Sequence, residues 1–238
     1  MGSDNLNARD RKSTVFSGFI RSLRHVRLRA EFAVLYVLAP LAMALFLPPM
    51  WMFPALFATM VVALLLLQLT PGFRWRELLT GLQALRSVHI WGLVLGFSAA
   101  TAALSWAILE FRHPDALFVL LRERPALMAM IVLLYPWFSA LPQEIIFRIL
   151  FFRRYGTILP PGRMALVLNA ALFALAHLMY WSWVVAALTF AGGLVFAWAF
   201  EVRRSFALAF LLHTLAGWIL FAFGMGLYFH AGNVERPF

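Results

Sequence analysis

The pattern of apolar positions divides the chain into long hydrophobic runs separated by short polar stretches. Seven of these runs contain about 17 to 25 residues with few charges, which is the length that an α-helix needs to cross a bilayer. They cover roughly residues 31–47, 50–69, 89–109, 126–152, 164–180, 182–200 and 206–224. The pattern therefore predicts an all-α fold, a bundle of seven transmembrane helices.

The stretches between the runs predict how neighbouring helices are connected. Only Pro48 and Pro49 separate the first two runs, and only Trp181 separates the fifth from the sixth. Both pairs are therefore expected to form tight antiparallel hairpins. Residues 70–88 mix aromatic and aliphatic side chains with charged ones, which predicts a surface helix without a chemical role.

The same pattern divides the chain into three parts. Residues 1–30 begin polar and become basic and amphipathic, which is typical of a helix that lies on the cytoplasmic membrane surface. Residues 31–230 form the predicted bundle, and residues 231–238 form a short C-terminal tail.

Composition supports the membrane assignment and excludes several classes of protein. The chain has 238 residues, of which 63% are hydrophobic and 13% are charged, and its mean hydropathy is +0.85. A soluble domain of this size cannot bury so much apolar surface in one core, so a soluble enzyme is excluded. The chain contains no cysteine, which excludes disulfides, cysteine-based zinc sites and a thiol nucleophile.

The formal charge of +10 is distributed unevenly along the predicted topology. Fifteen of the twenty Lys and Arg residues lie on the side of the N-terminus, four lie on the opposite side, and Arg148 lies within a run. Basic loops stay in the cytoplasm, so we expect a cytoplasmic N-terminus and an external C-terminus. The basic surface is expected to contact anionic lipids, and no nucleic acid partner is expected.

Ionisable side chains inside the runs are the strongest indication of function, because each costs at least about 2.5 to 3.5 kcal/mol at the centre of a membrane helix. The four that qualify are Glu144, Arg148, His177 and His213. The neutral residues Gln143 and Asn169 lie nearby in the same runs and could supply interhelical hydrogen bonds.

Glu144 and Arg148 are four residues apart on one helix, so their side chains share a face and can form an ion pair. One interpretation is a purely structural pair that braces the bundle. The same run contains Pro136 and Pro142, and Pro142 predicts a kink or a restart of the helix just before Gln143. A broken helix in a membrane is typical of a functional site, although Pro142 could equally begin a new helix.

The two histidines come from different runs. Counting 1.5 Å per residue places Glu144 and His213 at similar depths, about 14 and 12 Å, and His177 at about 21 Å. His177 is therefore expected to join the others only if its helix is tilted or begins later than the hydrophobic pattern suggests. Each histidine could also be a packing residue that bonds a nearby carbonyl.

Three short motifs in this region resemble those of the CAAX protease and bacteriocin-processing family, also called Abi. They are Gln143-Glu144-Ile145-Ile146-Phe147-Arg148, Phe173-Ala174-Leu175-Ala176-His177 and His213-Thr214-Leu215-Ala216-Gly217. The family pattern reads Glu-Glu-xxx-Arg, Phe-xxx-His and His-xxx-Asn, and the resemblance covers residues 126–220. It implies a glutamic-type intramembrane endopeptidase in which a glutamate and the first histidine activate water, while the second histidine and an asparagine stabilise the oxyanion.

Two positions depart from that pattern. Gln143 stands where the first glutamate is expected, and Gly217 stands where the asparagine is expected. We therefore assign the role of base to Glu144, with His177 and His213 as its partners, and regard Asn169 as a substitute oxyanion donor. Water must reach these groups, so a polar cavity is expected to open toward one leaflet, the cytoplasmic one by the depth estimate.

The resemblance implies endoproteolysis of a membrane-associated, prenylated or transmembrane peptide, without a cofactor, in a bacterial cytoplasmic membrane. Three alternatives stay open. An inactive family member could act as a membrane scaffold or immunity factor, and a proton-coupled transporter could use the same ionisable groups. The third alternative is a zinc site held by Glu144, His177 and His213.

Overall fold

The computed structural model describes residues 22–230, and in this range it contains seven helices that are long and apolar enough to cross a membrane. They are α1 (Ser22–Phe46), α2 (Pro49–Gln68), α3 (Val88–Arg112), α4 (Pro125–Arg154), α5 (Arg163–Tyr180), α6 (Trp183–Glu201) and α7 (Phe206–Phe223). No strand occurs among these residues. The predicted fold class and number of spans are confirmed, and the chain is a multi-pass membrane protein.

Helix α1 begins earlier than the hydrophobic run that predicted it. It is helical from Ser22, so the last part of the basic amphipathic segment continues directly into the first span instead of forming a separate surface helix. The remainder of that segment, residues 1–21, and the predicted tail, residues 231–238, lie outside the described residues. Helices α5 and α6 pack against each other, as the predicted hairpin requires. Only two residues separate α1 from α2, and their antiparallel packing stays a prediction.

The predicted surface helix over residues 70–88 is wrong. This stretch forms two short 3₁₀ helices, Trp75–Leu79 and Leu82–Arg86, separated by Gly81 at a φ of 80°. The break packs against the start of α7, where the Ala207 amide donates to the Thr80 carbonyl at 3.1 Å. A side chain at Gly81 would collide with Ser205, so both the backbone angle and the close approach require glycine here.

Helix α4 contains Glu144 and Arg148, and the restart predicted just before Gln143 is absent, whereas the predicted kink stays a prediction. It continues from Pro125 to Arg154 through two π-helical segments, Pro136–Ala140 and Ile145–Leu150. In the first, the Leu141 amide donates to the Pro136 carbonyl, five residues back, so the wider turn accommodates the prolines without ending the helix. All six residues of the second segment are buried.

A cluster of charges ties three helices together at one end of the bundle. Arg154 of α4 pairs with Glu31 of α1 and donates to the Leu66 carbonyl of α2 at 3.0 Å. The Tyr155 hydroxyl also donates to Glu31, at 2.7 Å. Burial, together with this hydrogen bond, raises the pKa of Tyr155, so its phenol stays a neutral donor.

Candidate active site

The centre of the site is a fully buried carboxylate with two basic partners. Oε2 of Glu144 lies 3.2 Å from Nε of Arg148, one turn along α4. Oε1 of Glu144 accepts from Nδ1 of His213, on α7, at 2.9 Å. The side chains of Glu144 and Arg148 are both completely buried, so the ion pair lies out of contact with water. The predicted ion pair is present, and the structure adds His213 to it.

Arg148 is held in place by a second set of contacts on α5. Its Nη1 donates to Oδ1 of Asn169 at 2.5 Å, and Nδ2 of Asn169 donates to the Phe147 carbonyl at 2.6 Å. The guanidinium also lies 5.0 Å from the centre of the Phe173 ring. Both polar ends of the buried Asn169 are therefore engaged. Its expected role as an oxyanion donor stays a prediction, since the contacts observed for its amide are with Arg148 and the Phe147 carbonyl.

A cavity of about 120 Å³ lies beside this buried network. Its polar lining residues are Tyr135, Ser139, Gln143, His177, Tyr180, Thr189 and His213, and its apolar walls include Phe173 and Phe196. The volume is sufficient for several water molecules. The two predicted histidines therefore face one space, whereas Glu144 is not among the described residues that line it.

His177 lies just after the last α-helical residue of α5, where the chain enters the 3₁₀ turn Leu178–Tyr180. Its Nδ1 donates to the Phe173 carbonyl at 2.8 Å, since a carbonyl can only accept. In the neutral ring this leaves Nε2 with its lone pair. The depth estimate predicted a position away from His213, but it assumed upright helices that begin at a common plane, and the structure places both rings on the same cavity.

Gln143 faces the cavity with its carbonyl oxygen unused. Its Nε2 donates to the Ser139 hydroxyl at 3.0 Å, while Oε1 is buried and has no hydrogen-bond partner among residues 22–230. A buried amide oxygen without a partner costs free energy unless a water molecule or ligand binds it. The cavity supplies the space for such a molecule beside Gln143.

Two polar residues of the cavity, Tyr135 and Ser139, are absent from the sequence-based prediction. They precede Gln143 by eight and four residues, so the three side chains recur at helical spacing on one face of α4. This spacing is a signal that the sequence contains. It carries little weight alone, because neutral polar residues are common in membrane helices.

Comparison with protein families agrees with this geometry. Residues 125–219 match the family model described as type II CAAX prenyl endopeptidase, Rce1-like. The match covers the part of the chain from α4 into α7 and leaves α1 to α3 outside it. The family predicted from the three motifs is thus confirmed, and it is a family of proteases. No curated protein and no solved structure gives a significant match to the chain.

The Rce1-like segment begins with α4 and ends within α7, so it contains every side chain of the buried network. A second cavity, of about 110 Å³, extends from it toward the N-terminal helices, which lie outside the match. It shares Phe53, Ser139, Gln143, His177 and Tyr180 with the first cavity. Its other walls are mostly apolar, with Leu35, Met43, Met52, Leu56, Ile146, Phe147 and Met179 among them.

The described residues of this segment do not bring together the side chains that a metal ion needs as ligands. Among residues 22–230, no three His, Asp or Glu side chains form a group that could hold a metal. Glu144, His177 and His213, the ligands of the zinc alternative, therefore do not form such a group. The expectation that the reaction needs no cofactor stays a prediction.

Proposed function

We propose that this chain is an intramembrane endopeptidase that hydrolyses a peptide bond in a prenylated protein substrate. The observation that carries the proposal is the cavity between α4, α5 and α7, in which both His177 and His213 have Nδ1 engaged by the protein and Nε2 available. A base and an oxyanion donor that share one space for water are the groups that amide hydrolysis requires.

His177 is the general base in this proposal. The unused Oε1 of Gln143 accepts one hydrogen of a water molecule, and Nε2 of His177 takes the other proton as the water oxygen bonds to the scissile carbonyl carbon. The carbonyl becomes a tetrahedral oxyanion. His177 then gives the proton to the amide nitrogen, the carbon–nitrogen bond breaks, and a carboxylic acid and an amine leave.

His213 stabilises the oxyanion. Because Glu144 accepts from its Nδ1, the carboxylate fixes the orientation of the ring, and an imidazolium held in this way donates from Nε2 to the developing negative charge. Glu144 is a positioning residue in this scheme, and Arg148 and Asn169 position Glu144. We prefer this role for Glu144 over that of a base, because the carboxylate lies behind His213 and does not line the cavity.

The second cavity favours a substrate with a long apolar group. A peptide carbonyl in the first cavity lies next to a space with walls of Leu, Met, Ile and Phe, against which a hydrocarbon chain can pack. An isoprenoid attached near the scissile bond satisfies this arrangement. We place the chain in a bacterial cytoplasmic membrane, and the charge asymmetry of the loops supports a basic cytoplasmic side that contacts anionic lipids.

The test is hydrolysis of a farnesylated peptide with a C-terminal Cys-aliphatic-aliphatic-X sequence by the purified chain in liposomes, with mass spectrometry of the products. His177→Ala should lower the turnover by about 10² to 10⁴. His89→Ala is the control, because His89 is exposed at the start of α3. Full activity of the folded His177→Ala protein removes this histidine from the mechanism, and an inactive wild-type chain contradicts the proposed function.

An inactive membrane scaffold is the competing function, and the amide at Gln143 favours it, since an amide cannot take a proton from water as a carboxylate does. The same assay separates the two functions. A scaffold predicts that the wild-type chain binds the farnesylated peptide without producing any cleaved product.

A further inference from the structure

We infer that the hydroxyl of Tyr135 is a catalytic oxyanion donor that acts together with His213. This inference rests on the proposed function and adds a residue to it. Tyr135 lies on the wall of the first cavity, in the half of α4 that precedes the Glu144 network, and its ring centre is 6.1 Å from that of His213.

Gly217 makes the position of Tyr135 possible. It lies one turn after His213 on α7 and has no side chain to occupy the adjacent space. A Cβ atom built at Gly217 would lie 2.2 Å from two atoms of the Tyr135 ring and 2.5 Å from its hydroxyl oxygen. Tyr135 therefore occupies the volume that a side chain at position 217 would need.

The phenol of Tyr135 thus stands where a side chain at position 217 would be, and it can take over the chemistry of that side chain. The family pattern has an asparagine here, whereas this chain has a glycine and places a phenol in the same space. A phenol hydroxyl is a neutral hydrogen-bond donor, so it can replace the amide of an asparagine beside the second histidine. The hydroxyl also lies by Ser139, whose oxygen accepts from Gln143, and this polar row faces the cavity.

The apolar alternative explains these contacts less well. If Tyr135 only filled the space above Gly217, a phenylalanine would do so without placing a hydroxyl inside the membrane. A hydroxyl at the wall of a cavity with two histidines, in contrast, can donate to an oxyanion that forms in that cavity.

Tyr135→Phe tests the inference, because it removes the hydroxyl and keeps the ring over Gly217. We expect kcat for the farnesylated peptide to fall by about 10² to 10³, with little change in KM or in the melting temperature. Tyr228→Phe is the control, because the Tyr228 hydroxyl is buried but Tyr228 does not line the first cavity. It should keep the wild-type kcat.

A swap of the two positions gives a second measurement. Tyr135→Ala should be nearly inactive, and addition of Gly217→Asn to it should recover part of kcat, because the amide now has room beside His213. Gly217→Asn alone should lower the melting temperature, since its side chain would overlap the Tyr135 ring.

The outcomes separate the inference from the function on which it rests. If the wild-type chain cleaves the peptide and Tyr135→Phe does so at the same rate, the inference is overturned and the protease stands. If the swap recovers kcat while Tyr228→Phe stays active, the inference is supported. A wild-type chain that cleaves nothing overturns both.

Discussion

Glu144 links the two basic side chains of the buried network. Its carboxylate contacts Arg148 on its own helix and His213 on α7, and neither Glu144 nor Arg148 has any exposed surface. A lone charge in this position would be very costly, because the interior cannot solvate it. Glu144 and Arg148 are therefore each tolerated only while the other is present.

We predict that Glu144→Gln destabilises the protein by about 3 to 5 kcal/mol, because it leaves Arg148 as a buried cation without its counter-ion. The double variant Glu144→Gln/Arg148→Met should recover much of this loss, but no hydrolysis, since His213 has still lost its carboxylate. Thermal unfolding in detergent micelles measures the difference. Glu201→Gln breaks an exposed pair with Arg204 and should cost about 1 kcal/mol or less. A double variant no more stable than Glu144→Gln would contradict the argument.

Gln143 supports a second prediction about single residues. Gln143→Glu introduces a carboxylate beside the water position, and a carboxylate can accept the proton that an amide cannot. In a His177→Ala background, this substitution should raise the residual rate of peptide cleavage by at least about tenfold. The pH dependence of the rescued activity should move toward the acid side, as befits a carboxylate base. Absence of rescue would show that position 143 does not contact the attacking water.

The sequence predicts the ionisable members of the site well and their partners less well. Glu144, Arg148, His177 and His213 could be selected because charge and imidazole are rare in apolar runs. The pair of Glu144 with Arg148 follows from local spacing. Glu144 and His213 are 69 residues apart in the chain, and their contact depends on the register between α4 and α7, which no local pattern specifies.

At the scale of elements, the π-helical segments of α4 explain why the predicted break is absent. Proline patterns indicate where an α-helix loses a donor, but they do not say whether the helix ends or widens. The segment Ile145–Leu150 widens, and its carbonyls accept from side chains of other helices. The Ile146 carbonyl accepts from the Tyr36 hydroxyl of α1 at 2.7 Å, and the Phe147 carbonyl accepts from Asn169.

Tyr36→Phe tests this account of α4. Tyr36 is fully buried, so the substitution leaves the Ile146 carbonyl without this donor and should lower the free energy of unfolding by about 1 to 3 kcal/mol. Thr101→Val is the control, because the Thr101 hydroxyl bonds only to the Phe97 carbonyl of its own helix, and it should cost less. If the two variants lose equal free energy of unfolding, the contact of Tyr36 with α4 contributes no more than a hydrogen bond within one helix.

Helices α1 and α2 contribute to the site although no sequence motif indicates this. They lie outside the Rce1-like segment, yet Leu35, Met43, Met52 and Leu56 form much of the wall of the second cavity. Sequence motifs could not indicate this role, because apolar residues in a membrane helix look alike whether they face lipid or a cavity.

We predict that Leu56→Trp reduces the space for an isoprenoid and raises KM for the farnesylated peptide at least about fivefold, with kcat nearly unchanged. Leu65→Trp, on the exposed face of the same helix, is the matched control and should leave both constants unaltered. Steady-state kinetics with the peptide in liposomes measure both. A fall in kcat without a change in KM would place Leu56 near the reacting atoms instead of the apolar group.

At the scale of the whole molecule, contacts at the two ends of the bundle agree with seven consecutive crossings. At one end, Arg153 pairs with Glu77 at 2.6 Å, and the Ser205 hydroxyl donates to the Gly81 carbonyl at 3.3 Å. At the other end, the Phe118 amide donates to the Phe223 carbonyl at 2.9 Å. Loops that are predicted to lie on the same side of the membrane are therefore in contact. Each apolar run takes the chain to the other side, so the order of the runs determines the side of each loop.

The orientation of the bundle in the membrane is a separate prediction that rests on the uneven distribution of Lys and Arg. The chain has no cysteine, so a single introduced thiol is the only one that can react. Arg86→Cys and Arg124→Cys place it at exposed positions on the two opposite sides. A membrane-impermeant maleimide added to intact spheroplasts should label Arg124→Cys, and it should label Arg86→Cys only after the membrane is permeabilised. The unsubstituted chain is the control and should stay unlabelled. The reverse labelling would place the N-terminus outside, and with it the basic surface that we expect to contact anionic lipids.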